Sequence, residues 1–73
     1  MTLAEMPLPG DEVRLNGDNR KLRVLRMADG LVWLYESRRR EKPVGIIALR
    51  DLEYDDAYAV YRGKAIAMRS AIR

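Results

Sequence analysis

Three features predict a mainly β (α+β) domain, four or five short strands followed by a C-terminal helix. Short segments alternate apolar and polar residues, which is the period of a half-buried strand. The turn pairs Asn16-Gly17 and Asp29-Gly30 separate them. Such pairs tolerate the positive φ of tight hairpins. From Tyr54 the pattern changes to apolar residues three and four apart, the spacing of one helix face.

The elements follow in order. Residues 1–10 hold two prolines and end in Gly10, so they read as an irregular lead-in. Leu3, Met6 and Leu8 are expected to pack on the domain edge. Residues 11–73 form the single domain. Asp11–Leu15 is the first strand, with Val13 and Leu15 on one face. Arg20–Ala28 is the second. There Leu22 and Val24 alternate with Lys21 and Arg23, and the apolar phase then shifts to Leu25 and Met27. A phase shift inside one strand predicts a β-bulge or a strong bend. Leu31–Glu36 is the third strand and is apolar on both faces, so both are expected to be at least half covered. Ser37–Pro43 is a charged loop, Val44–Leu49 the fourth strand, and Arg50–Glu53 a turn or short 3₁₀ segment.

The last segment has two readings. Tyr58, Tyr61, Ala65, Met68 and Ile72 follow steps of three and four, which predicts a helix from about residue 55. Asp55 and Asp56 stand at its positive end and Arg69 and Arg73 at its negative end. The rival is a fifth strand over Ala57–Tyr61 with a helix only from about Lys64.

Composition narrows the function. The 73 residues include no His and no Cys. A disulfide, a thiolate nucleophile, a Cys-based zinc site and a histidine base are therefore excluded. A chain of this length makes one domain with little room for an enclosed catalytic cavity, and no Ser–His–Asp set or Gly-rich phosphate loop occurs. The expectation is a protein that is not an enzyme, with no cofactor and no metal. Asp51, Glu53, Asp55 and Asp56 cluster in sequence, but without the spacing of a calcium loop, and read as helix caps and a solvated turn. No apolar run approaches a membrane span, and no basic-then-apolar leader opens the chain. A cytoplasmic location with no membrane contact is expected.

The net charge of +3 is unevenly spread. Residues 1–37 carry five basic and six acidic side chains, whereas the basic excess lies beyond them and peaks at Arg38-Arg39-Arg40-Glu41-Lys42.

Several pieces together resemble the SH3-like small β-barrels. They are the opening Gly10-Asp11-Glu12-Val13, the basic second strand Arg20–Met27, the Asp29-Gly30 hairpin and the closing Leu49-Arg50-Asp51-Leu52. The resemblance covers about residues 8–53. It implies a small barrel of a kind found in ribosomal and transcription-factor modules, chromatin readers, and phage and mobile-element proteins. The fold hosts many functions.

Two candidate surfaces follow. Arg38, Arg39, Arg40 and Lys42, extended by Lys21 and Arg23 on the second strand, would contact a nucleic-acid backbone, because guanidinium groups fit phosphate oxygens bidentately. A solvated loop kept polar for solubility is the plainer reading. Trp33 and Tyr35 share one strand face. Exposed, they would stack bases; a small domain, however, usually buries its one Trp, and Trp33 is expected in the core. The second surface is the stripe Tyr58, Tyr61, Met68 and Ile72, which would close the barrel or bind a partner, including a second copy in a homodimer. The leading expectation is a small regulatory protein that binds DNA or RNA. The rival is a protein–protein interaction module that docks on a larger protein through its helix or a strand edge. A basic patch continuous with an exposed Trp33 would favour nucleic acid, and an exposed tyrosine stripe would favour a protein.

Overall fold

The alternation from residue 11 onward builds six strands among the described residues, rather than four or five. The computed structural model describes residues 6–39 and 42–70. The strands are β1 (Glu12–Asn16), β2 (Leu22–Ala28), β3 (Leu31–Glu36), β4 (Pro43–Ala48), β5 (Leu52–Asp55) and β6 (Val60–Lys64). They form one sheet in the order β4-β3-β2-β1-β6-β5. Neighbours are antiparallel except β1 and β6, which run parallel.

The edge strands β4 and β5 are consecutive in the chain, joined by a three-residue 3₁₀ turn, Leu49–Asp51. So short a link between opposite edges requires the sheet to curl. The segment after β6 also returns to β4. Ile46 donates its N–H to the Arg69 carbonyl at 2.7 Å and accepts the Arg69 N–H at 2.8 Å.

The inner face of the curl is the core. Val13, Leu15, Leu22, Val24, Val32, Leu34, Ile47, Leu52 and Tyr61 are buried there, and their period-two spacing is what places them on one face. The Asp29-Gly30 hairpin forms as its sequence predicts, with φ of 53° and 74° at the two residues.

The phase shift in β2 is a bulge. Val24 pairs with Leu34 and Arg26 with Trp33, which leaves Leu25 as the extra residue. In an unbroken strand Arg26 would share the face of Leu22 and Val24. The bulge turns it outward and brings Met27 onto the core instead.

Beyond Tyr54 the expected C-terminal helix does not form. Strands β5 and β6 and a 3₁₀ turn at Ala65–Ala67 occupy the described part of that segment. The rival strand over residues 57–61 is also displaced, because residues 56–59 are a turn and β6 begins at Val60. In β6, Tyr61 and Gly63 face inward while Arg62 and Lys64 are exposed. A glycine at a core position hides the apolar alternation, and that left the three-four spacing as the stronger signal.

Gly63 stands where β6 crosses the 3₁₀ turn. A Cβ there would lie 3.0 Å from the Asp51 carbonyl oxygen, 3.0 Å from Leu52 Cδ2 and 3.1 Å from Ile47 Cδ1. The lead-in docks differently from its expectation. Pro7 is fully buried while Leu8 is 65% exposed and Met6 half-buried; Leu3 lies outside the described residues.

Candidate nucleic-acid interface

Cross-strand partners lie on one face of a sheet, so the register of β2, β3 and β4 dictates the outer surface. One row reads Arg26, Trp33, Ile46, Arg69. The row on one side is Arg23, Tyr35, Pro43; the row on the other is Ala28, Leu31, Ala48. The centre of this face is therefore the β3 series Leu31, Trp33, Tyr35, with arginines on both flanks.

Trp33 alternates with the buried Val32 and Leu34 and thus points away from the core that was expected to hold it. It is half-buried, and the Arg26 guanidinium carbon stands 3.8 Å from the ring centroid. That is a cation–π contact. Tyr35 is 8% exposed. It is covered from outside, in a small hollow that it lines with Pro9, Gly10 and Arg23. Arg23 donates from Nη1 to the Gly10 carbonyl at 2.8 Å. Its charge therefore also fastens the lead-in, a role the sequence did not suggest.

The charged loop adjoins this face. Ser37 donates its backbone N–H to the Lys21 carbonyl at 3.0 Å, so Lys21 lies beside the start of the loop. Arg39 closes a turn with its N–H on the Glu36 carbonyl at 2.8 Å. Lys21, Arg38, Arg39 and Lys42 are all exposed. Among the described residues none of the four joins an ion pair. Arg40 lies outside the described residues.

Three other arginines are paired where they stand. Arg20 donates from Nη2 to Asp18 at 2.6 Å. Its side-chain hydrogen bonds hold the Asp18 carboxyl below the usual carboxylate range, and Asp18 in turn raises Arg20. Arg62 donates from Nε to Asp55 at 2.6 Å, and this bond is the main cause that lowers the Asp55 pKa. Arg14 pairs with Glu12. Among the described residues the unpaired Lys21, Arg23, Arg26, Arg38, Arg39 and Lys42 lie on the β2–β3 side and its loop and Arg69 beside β4, whereas Arg50 and Lys64 stand elsewhere.

The expected partner-binding stripe is dispersed. Tyr61 is 4% exposed in the core, Tyr58 is 71% exposed on the turn, and Met68 packs against Gly45. Ile72 lies outside the described residues. Tyr61 in a strand, Tyr58 in a turn and Met68 after the 3₁₀ turn do not share a helical face, so the three described residues form no common surface. Asp55 caps a turn rather than a helix, accepting the Ala57 N–H at 3.0 Å. Among the described residues no three carboxylates converge on a cation position, and no helix is long and apolar enough to cross a membrane.

Sequence reasoning found the loop cations and the bulge. It did not find Ile46 and Arg69 as neighbours of Trp33, because the β3–β4 register shifts between Leu34 and Tyr35 and Arg69 reaches Ile46 by an isolated bridge from far along the chain. No protein-family model, curated protein or solved structure matches the chain.

Proposed function

We propose that this chain is a small non-enzymatic nucleic-acid-binding protein built on an SH3-like barrel, with regulatory use as the natural role for so small a module. The curl imposed by the Leu49–Asp51 turn and the return of Arg69 to β4 support the barrel. One observation carries the function: exposed cations without acidic partners lie in the loop that follows β3, the strand whose Trp33 faces outward under Arg26. Phosphates would be held by Arg38, Arg39, Lys42 and Lys21, with Arg40 continuing the run. Arginine forks suit phosphate oxygens, and their release of counterions makes such binding fall steeply with salt.

A protein partner is the second reading. Its best support is β5, an edge strand with the exposed Tyr54, open to strand addition. The acidic Glu53 and Asp55 on that short strand are instead the usual protection of an edge.

The test is fluorescence anisotropy of labelled oligonucleotides over a salt series, with the wild type and an R38A/R39A/K42A variant. Binding should fall linearly on a log–log plot. The variant should lose about 0.7 of slope per phosphate contact removed from a single strand, or about 0.9 from a duplex. Equal slopes for both proteins would remove the loop from the interface, and no binding at low salt would end the proposal.

A further inference from the structure

We propose that the outer face of β2–β4 selects single-stranded nucleic acid, with a base stacked on the Arg26–Trp33 pair; this rests on the nucleic-acid reading above and names its substrate class. The arrangement of the face supports it. Its cations stand at the ends of the row Arg26, Trp33, Ile46, Arg69, and its middle is aromatic and aliphatic. A duplex offers phosphates and keeps its base planes stacked inside. It would set charged oxygens against Trp33, Ile46 and Leu31. A single strand offers both parts, phosphates for the flanking arginines and flat bases for the centre.

The dimensions agree. Four strand positions at about 4.8 Å spacing span roughly 14 Å from Arg26 to Arg69, and Leu31 to Tyr35 covers about 13 Å along β3. That is room for a few nucleotides. Arg26 is exposed, and its guanidinium carbon stands 3.8 Å from the Trp33 ring centroid. A guanidinium so placed and open to solvent can take a base against it, since guanidinium planes stack on bases as aromatic rings do. The β2 bulge is what makes the pair possible, since only the extra residue at Leu25 brings Arg26 to the side of Trp33. From Trp33 the face leads past Tyr35 to the loop cations, which would hold the continuing backbone.

Trp33 is the single tryptophan of the chain, so its fluorescence reports on this position alone. The full chain is titrated at low salt with a ten-nucleotide thymidine DNA, the matching uridine RNA, an abasic phosphodiester of equal length and a ten-base-pair duplex. The proposal expects both base-bearing strands to quench Trp33 and to bind about tenfold or more tighter than the abasic strand. The DNA and RNA arms distinguish the two sources of the same chemistry. By anisotropy, W33L should erase the difference between base-bearing and abasic strands, and R26A should reduce it. The exposed Arg26 provides the second variant should W33L fold poorly. Equal affinity for base-bearing and abasic strands, or tighter duplex binding without quenching, would overturn the stacking proposal and leave the backbone reading standing. No binding of any of the four would overturn both.

Discussion

Asp55 shows how single residues assign the charges of this protein. Its carboxylate accepts from Arg62 Nε and from the Ala57 N–H. Both favour the ionised form, so its folded pKa lies below the ordinary value. Asp18 is lowered in the same direction by Arg20. A depressed carboxylate contributes stability that is fully present above the unfolded pKa and is lost as pH falls through the folded one. The window therefore opens below about pH 4. Both pairs are near the surface, so the contribution is small and screened by salt. D55N should lower the melting temperature slightly at pH 7 and flatten its fall between about pH 4 and pH 2. Thermal melts at low salt check this; a variant with the same acid slope as the wild type would remove the Asp55–Arg62 pair from the account. At the same scale, Trp33 departs from the general preference for burying a single Trp. The preference is about side-chain area, whereas the alternation with Val32 and Leu34 decides the face.

At the scale of elements, β1 to β4 were legible because each carries its own apolar alternation and its own turn residues. Asp29-Gly30 even fixes the hairpin geometry locally. The bulge was legible for the same reason, since a phase shift is written in consecutive residues. β5 and β6 were not. β5 has four residues, two of them exposed, and β6 presents Gly63 where an apolar side chain would have marked the strand. A Cβ at Gly63 would stand 3.0 Å from the Asp51 carbonyl oxygen and from Leu52 Cδ2, so both neighbours must give way to admit it. G63A should therefore destabilise the protein by about 1–3 kcal/mol, although alanine would favour the helix once expected there. Urea unfolding measures it. An unchanged or raised midpoint would mean that β6 does not pack against the 3₁₀ turn in this way.

For the whole molecule, the sheet curls so that one face is core and the other is solvent. The solvent face is uneven in charge. On the β1–β6 side Arg14 and Arg62 are paired with Glu12 and Asp55. On the β2–β3 side and its loop the cations lack such partners. The sequence showed the loop half of this candidate site, because four cations within five residues need no fold to be seen. The platform half required the register, which joins Arg26, Trp33, Ile46 and Arg69 from four separate stretches of chain. The proposed interface places nucleic acid on this face. Amide chemical-shift mapping of the isotope-labelled protein with a ten-nucleotide single strand tests it most directly. Shifts are expected in β2, β3, β4, the Ser37–Lys42 loop and Arg69, with the Trp33 indole N–H among the largest. Shifts centred on β5 and the Tyr58 turn, or none at low salt, would contradict it.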